Sequence, residues 1–301
     1  MVEPERNRVE VLSVDALVEG VHFNRAFVPP DAVGHRALAV NLSDLAAMGA
    51  EPRLALLSLV LPPALPLDEF DAIVTGFAAL AARYRLHLVG GNITRSPGPL
   101  MLDVTVIGTA KRRRTLTRSG ARADDDLYVS GTIGAAAAGL QILQSTVDRR
   151  LSTVDSTVDS AVGRYLRPDP RVRLGLLMAR NRAARACIDL SDGLADGVHR
   201  LAEASGVGIT IDAGLLPIDP AARQWCEGNG MDATTEAITG GDDYELLFAV
   251  KPRTSRRIAA AMRDSGVPLT RVGTCTVDRA VSIRGADGSA TALPQGYSHF
   301  R

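Results

Sequence analysis

The sequence predicts two mixed domains in tandem, an α/β domain followed by a domain that is either α/β or α+β. The chain has 301 residues, about twice the length of a typical single domain. Short apolar runs typical of strands alternate with amphipathic runs typical of helices in both halves. A polar and basic stretch at 111–126 separates the halves. We therefore place the boundary at residue 118, with an N-terminal α/β domain at 1–118 and a C-terminal domain at 119–301.

Strands and helices are expected to alternate through the first domain. Val9–Val14 is rich in β-branched residues and predicts a strand. Pro30 opens an amphipathic run that predicts a helix to about Ala47. The remaining elements are a helix at 67–84 and strands at 54–61, 86–89 and 100–107. Gly90 and Gly91, directly after the third strand, are typical of a tight turn that a phosphate could approach closely.

The second domain begins with a predicted strand and an alanine-rich helix. Its expected strands lie at 127–130, 186–190, 208–211 and 244–250 and around Val272 and Val281. Its expected helices lie at 135–143, 194–205 and 254–265. The tetrapeptide Ser-Thr-Val-Asp occurs three times within 145–159. A period this short does not build a repeat fold, so we expect an exposed connection there.

The charge balance excludes several classes of partner. Lys plus Arg and Asp plus Glu each total 34, so the formal net charge is zero, and nothing global attracts a nucleic acid or an anionic membrane. The apolar runs are shorter than a membrane-spanning helix, and residues 1–10 are charged, without a signal sequence. We expect a cytoplasmic protein without a nucleic-acid or membrane partner.

The scarcity of lysine excludes one common way of binding nucleotides. Lys111 and Lys251 are the only lysines, and neither lies in a GxxxxGK[ST] phosphate loop. The sequence also contains no HExxH zinc pair, no GxSxG nucleophile elbow and no protein-kinase motifs. Any chemistry on phosphate must therefore use other groups.

Aspartates gather where strands end and where glycines interrupt the chain. Taken singly, each could be a helix cap or a surface charge. Five such positions suggest a shared role, because carboxylates without nearby lysines suit Mg²⁺, which bridges protein oxygens to substrate phosphates. The segment Ile188–Gly193 also joins a strand to a helix whose N-terminus suits a phosphate. The five aspartates are Asp15, Asp44, Asp189, Asp192 and Asp242.

Seven motifs, in order along nearly the whole chain, resemble the thiamine-monophosphate kinase family within the aminoimidazole ribonucleotide synthetase-like superfamily. They are VDALVEGVHF at 14–23, ALAVNLSDLAAMG at 37–49, GGNITR at 90–95, LTRSG at 116–120, IDLSDG at 188–193, GGDDYEL at 240–246 and GYSHF at 296–300.

The resemblance implies a two-domain aminoimidazole ribonucleotide synthetase-like fold, with an α+β C-terminal domain and an N-terminal domain that pairs across a homodimer. It also implies direct transfer of a phosphoryl group from ATP to thiamine monophosphate, assisted by several Mg²⁺ ions. Carried over by position, the implied metal ligands are Ser13, Val14, Asp15, Asp44, Asn92, Asp189 and Asp192. The implied ATP contacts are Gly91, Asn92, Arg118 and Ser191, and the implied substrate contacts are His22, Asp242 and Tyr297.

The sequence departs from the family pattern at four places. Asn92 replaces a common aspartate, and Val14 replaces a threonine, which leaves Val14 only its carbonyl as a ligand. Asp242 replaces a glutamate, and its reach is shorter by about 1.5 Å. A Gly-x-Gly-Asp-Asp-Ala segment is expected about twenty residues before Asp15, and Met1 comes too late to include it. Either the recorded start is internal, or the chain is a shortened paralogue that binds nucleotide or thiamine phosphate without turnover.

Overall fold

The structure is a computed structural model that describes residues 6–149 and 156–296. The first domain contains β1 (Arg8–Val18), α1 (Pro30–Ala47), β2 (Glu51–Leu61), α2 (Leu67–Arg83), β3 (His87–Arg95) and β4 (Met101–Lys111). Its strands form one sheet in the order β1-β4-β2-β3, in which β2 and β3 are parallel and the other pairs are antiparallel. Side chains alternate between the two faces of the sheet, and α1 and α2 pack over one of them.

The second domain is α+β, which decides between the two alternatives left by the sequence. Its strands are β5 (Asp126–Ser130), β6 (Ala186–Asp189), β7 (Gly208–Asp212), β8 (Leu246–Val250), β9 (Leu269–Thr276), β10 (Val281–Arg284) and β11 (Ala290–Ala292). They form a sheet in the order β11-β10-β7-β9-β5-β8-β6, in which only β7 and β10 run parallel within the described chain. The helices are α3 (Ala135–Arg149), α4 (Ser156–Leu166), α5 (Val172–Asn181), α6 (Gly193–Ser205), α7 (Pro220–Gly228), α8 (Ala233–Thr239) and α9 (Ser255–Ser265).

Helix α1 lies between the two domains and contacts both. It packs against α2 and the first sheet, and also against α5 and β6 of the second domain. Side chains on all its sides are buried, as expected for a helix inside a core. At the contact with α5, a Cβ on Gly175 would lie 2.0 Å from the carbonyl oxygen of Ala46. This contact fixes Asp44, near the end of α1, relative to the second domain.

The crossing of α1 and α2 depends on two glycines, Gly34 of α1 and Gly76 of α2, and this yields a stability prediction. A Cβ on Gly76 would lie 1.9 Å from the carbonyl oxygen of Asp31. We expect Gly76→Ala to lower the free energy of unfolding by about 2–3 kcal/mol, because the helices must separate. The control Gly163→Ala meets no atom within 4 Å, and we expect it to be neutral or to stabilise by up to about 1 kcal/mol. Urea unfolding compares both, and equal values would contradict this account of the crossing.

Most predicted elements are confirmed, two expectations are wrong, and four helices were not expected. Gly90 and Gly91 lie inside β3 and not in a turn; a Cβ on Gly91 would lie 1.9 Å from the carbonyl oxygen of Leu57, so close strand pairing requires this glycine. The Ser-Thr-Val-Asp region contains the end of α3 and the start of α4, and residues 150–155 lie outside the described part. Helices α4, α5, α7 and α8 were not predicted.

The boundary expected at residue 118 falls in the segment between β4 and β5. No helix among the described residues is long and apolar enough to cross a membrane.

Candidate functional site

A cavity of about 1090 Å³ lies between the two domains. Its walls come from β1 and the loop after it, α1, α3, the β6–α6 connection and the loop before β8. A cavity of this size accommodates two small ligands side by side, since ordinary ligand sites measure roughly 300–1,000 Å³.

Four of the five predicted aspartates come together at one end of the cavity. Asp15 lies on β1, Asp44 on α1, Asp189 at the end of β6 and Asp192 at the start of α6, and all four line the wall. The hydroxyl of Ser13 donates to Asp44 Oδ2, and the hydroxyl of Ser43 donates to Asp189 Oδ2 at 2.7 Å. Four carboxylates from four separate elements thus form one acidic cluster.

Burial, together with the crowding of negative charge, raises the pKa of two of these carboxylates. The pKa of Asp15 is raised to about 7, first by burial and then by the charges of Asp44, Asp192 and Asp103. The pKa of Asp189 is also raised to about 7, by burial and by the charge of Asp44, although Ser43 and Arg118 oppose this shift. A cation bound in the cluster would favour the ionised forms of both Asp15 and Asp189.

Asp192 occupies the N-cap position of α6, but its side chain makes no cap hydrogen bond. The structure therefore does not support the interpretation of the Asp192 side chain as a helix cap. Its carboxylate lies 4.0 Å from Arg200, and Arg200 also pairs with Asp196 one turn along the helix. Asp192 lines the cavity, where its oxygens can serve a ligand.

The chemistry of the cluster fits Mg²⁺. Its donors are carboxylate and hydroxyl oxygens, the ligands that Mg²⁺ prefers, and a cavity of this size leaves room for the waters and phosphates that complete its coordination. Among the residues described, no three or more His, Cys, Asp or Glu side chains are close enough together to enclose a metal ion by themselves. The arrangement therefore suits an ion held jointly by protein, water and phosphate.

The cavity lining also combines aromatic side chains with one fixed carboxylate. Phe23, Phe27, Tyr165 and Asp242 all line the cavity. Arg36 Nη2 donates to Asp242 Oδ2 at 3.2 Å, and its guanidinium carbon lies 4.3 Å from the centre of the Tyr165 ring. The sequence analysis missed Arg36 and Tyr165. The available signal for Arg36 was a charged residue directly before the apolar run Ala37–Val40 in the middle of α1.

The GGDDYEL segment divides its acidic side chains between the site and the core. Asp242 faces the cavity, whereas the buried Asp243 accepts from the backbone N–H of Gly134 at 2.8 Å, just before α3. Burial raises the pKa of Asp243 to about 7, although the hydrogen bond from the Gly134 backbone N–H opposes this shift. Glu245 is fully buried and accepts from Arg164 and Arg171. Two of the three carboxylates are thus structural.

The remaining predicted residues fall into four groups, of which Gly91 and Asn92 are the last. His22, Arg118 and Ser191 line the cavity, and His22 Nδ1 accepts from the backbone N–H of Val18 at 3.1 Å. Ser13 supports Asp44 from outside the cavity lining, and the Val14 side chain is 58% exposed on the opposite face of β1. Tyr297 lies outside the described residues.

Gly91 and Asn92 are not brought to the cavity. Both lie exposed on β3, at the edge of the sheet farthest from β1 and Asp15. Within one chain the structure therefore separates them from the acidic cluster.

These two domains, with the cavity between them, define the class of protein. Residues 1–110 match the family described as AIR synthase related protein, N-terminal domain. Residues 122–285 match AIR synthase related protein, C-terminal domain. The class is therefore that of the AIR synthase related proteins.

Comparison with individual proteins gives the particular family. The chain is 39% identical to the thiamine-monophosphate kinase of Escherichia coli K12, over 99% of this chain and 88% of that protein. It is 34% identical to the enzyme of Bacillus subtilis, over 97% and 88%. The chain belongs to the thiamine-monophosphate kinase family.

Solved structures agree with this assignment. The thiamine-monophosphate kinase of Stenotrophomonas maltophilia K279a has a TM-score of 0.87 and 38% identity, over 97% of this chain and 89% of that chain. The structure described as AaThiL complexed with AMPPCP and TMP also has a TM-score of 0.87, with 32% identity over 99% of this chain and 89% of the other.

Proposed function

We propose that this chain transfers the γ-phosphoryl group of ATP directly to the phosphate of thiamine monophosphate, giving thiamine diphosphate and ADP. The observation that carries the proposal is the convergence of four aspartates from separate elements on one interdomain cavity. Phosphoryl transfer is mainly positioning and charge neutralisation, and needs no covalent intermediate on the protein. The related structure with AMPPCP and TMP supports both substrates. The buried free thiols are compatible with a reducing cytoplasm, where we place the reaction.

Each set of side chains that lines the cavity has its own role in this proposal. Asp15, Asp44, Asp189 and Asp192 would hold Mg²⁺, which when bound neutralises phosphate charge. Arg118 and Ser191 line the cavity beside Asp189, and they contact the phosphates of ATP. His22 and Asp242 orient thiamine monophosphate. The side chains bring the two phosphates together and exclude water, so the transferred group passes from one phosphate oxygen to the other.

A homodimer completes the site in this proposal. The face of the first sheet opposite α1 and α2 carries exposed apolar residues, with Leu12 63% and Leu56 40% exposed. An apolar sheet face without cover suits a second copy of the chain. Gly91 and Asn92 lie on this domain but away from their own cavity. In the proposed homodimer, Gly91 and Asn92 contact ATP in the cavity of the partner subunit.

Leu56→Asp tests the dimer. The substitution places a charge on the open sheet face, and we expect a shift from dimer to monomer together with loss of activity, because burying an unpaired carboxylate is costly. Val277 is 85% exposed and lies in the second domain, so Val277→Asp serves as the control and should leave the dimer intact. Sedimentation velocity gives the masses. A monomeric wild type, or a dimeric Leu56→Asp variant, would contradict the proposed interface.

The proposed reaction is tested by following ADP release while thiamine monophosphate and Mg²⁺ are varied independently. We expect ADP release to require both, to saturate with each and to stop when a chelator is added. Tight ATP binding without turnover would instead indicate the non-catalytic paralogue. ADP release that does not respond to thiamine monophosphate would indicate a different acceptor.

A further inference from the structure

Asp242 is held on both of its carboxylate oxygens. Arg36 Nη2 donates to Oδ2 at 3.2 Å, and the hydroxyl of Tyr244 donates to Oδ1 at 2.9 Å. The Asp242 side chain nevertheless keeps 31% of its surface exposed, and it lines the cavity. Each carboxylate oxygen can accept a second hydrogen bond. Asp242 is therefore a fixed acceptor that still has capacity for a ligand.

The two groups that hold Asp242 are themselves fixed. Arg36 is 2% exposed, its Nη1 donates to the carbonyl oxygen of Tyr165, and its guanidinium stacks on the Tyr165 ring. Tyr244 is 7% exposed. A buried guanidinium without its carboxylate is costly, so Arg36 favours one orientation of Asp242.

The backbone around Asp242 is also constrained. Asp242 and Tyr244 have φ values of 68° and 49°, a left-handed conformation that costs energy for residues other than glycine. Two hydrogen bonds compensate: the N–H of Asp242 donates to the Ser191 carbonyl at 2.7 Å, and the N–H of Tyr244 donates to the Leu190 carbonyl at 3.0 Å. Asp242 is thereby tied to the IDLSDG segment, which carries Asp189 and Asp192.

We propose that Arg36 and Tyr244 are positioning residues that aim Asp242 at the exocyclic amino group of the substrate's aminopyrimidine ring. This inference rests on the proposed function and extends it to substrate selectivity. An ionised carboxylate accepts hydrogen bonds and donates none. It therefore binds an amino group and rejects a ring that carries an oxo group at that position. Phe23, Phe27 and Tyr165 line the same cavity as Asp242, and aromatic side chains suit a flat ring.

The test compares binding of thiamine monophosphate with binding of its amino-to-oxo analogue, oxythiamine monophosphate, by titration calorimetry on the full chain. We expect wild type to prefer the amino compound by roughly 10- to 100-fold in Kd, as for a hydrogen bond to a charged acceptor. Tyr244→Phe removes one of the two donors to Asp242, and we expect the preference to fall by about 3- to 10-fold. The affinity for AMPPCP should stay unchanged.

Two further variants separate positioning from folding. Arg36→Lys keeps the charge but loses the forked geometry, so it should also lower the preference. Tyr128→Phe is the matched control: Tyr128 lies on β5, outside the cavity lining, and the preference should remain that of wild type. Thermal unfolding verifies that each variant is folded, and a folded Tyr244→Phe decides the test if Arg36→Lys does not fold.

The outcomes are distinct. A wild type that binds both compounds equally, or a Tyr244→Phe variant that keeps the full preference, overturns the inference and leaves the proposed function intact. A wild type that binds neither compound overturns the proposed function, and with it the inference.

Discussion

We expect replacement of Asp44 with asparagine to lower the rate of thiamine diphosphate formation by about 10²- to 10³-fold without destabilising the fold. The proposal places Asp44 in the acidic cluster with Asp15 and Asp189, which would hold the Mg²⁺ that neutralises phosphate charge. Stability is preserved because the negative charge of Asp44 opposes ionisation of both neighbours. Asparagine removes that repulsion and keeps an oxygen that can accept from the Ser13 hydroxyl.

The measurement pairs steady-state rates at saturating ATP and Mg²⁺ with thermal unfolding in the absence of metal. Asp71→Asn is the control, since Asp71 is an exposed residue of α2 outside the cavity lining, and its rate should equal that of wild type. We expect the melting temperature of Asp44→Asn to equal or exceed that of wild type. Full activity of the Asp44→Asn variant would contradict the proposal that the acidic cluster holds the Mg²⁺ that neutralises phosphate charge.

We expect replacement of Glu245 with glutamine to lower the free energy of unfolding by about 3–5 kcal/mol. Glu245 is fully buried and accepts from Arg164 at 2.6 Å and from Arg171 Nε at 2.7 Å, while the Ser130 hydroxyl donates to it at 2.5 Å. Glutamine removes the carboxylate that pairs with Arg164 and leaves Arg171 with Asp169 as its remaining counter-charge, and breaking a buried ion pair in this way is costly. The loop that carries Asp242 should loosen with it.

The matched control for Glu245→Gln is Asp264→Asn. Asp264 pairs with Arg263 at 3.0 Å, but the two side chains are 44% and 74% exposed, so we expect a change within about 0.5 kcal/mol. Urea unfolding gives both values. Equal changes in the free energy of unfolding for the two variants would contradict the view that the buried Glu245 anchors the GGDDYEL segment.

Local sequence patterns were sufficient for the long elements and for the acidic cluster. Helix α1 begins at Pro30 as expected, because proline suits the first turn of a helix. Asp15, Asp44, Asp189 and Asp192 share a wall because β1, the end of β6 and the side of α1 meet at the domain interface, although Asp15 lies inside β1 and not at its end as expected. Their residue type and their positions beside strand ends and glycines were visible in the sequence.

The parts that were missed depend on tertiary contacts. Gly91 looks like a turn residue, yet its place in β3 follows from the close approach of Leu57 on the neighbouring strand. Helices α7 and α8 have nine and seven residues, too few turns to give a clear period. The pairing of Arg36 with Asp242 joins residues 206 positions apart in two domains, which no local pattern predicts.

The most direct test of the central claim is to follow the γ-phosphoryl group itself. The 301-residue chain is incubated with Mg²⁺, thiamine monophosphate and ATP that carries a radioactive γ-phosphate, and the products are separated. The proposed reaction predicts label in the terminal phosphate of thiamine diphosphate, in a one-to-one ratio with ADP. Label found only in inorganic phosphate, or on another position of the acceptor, would contradict direct transfer between the two phosphates.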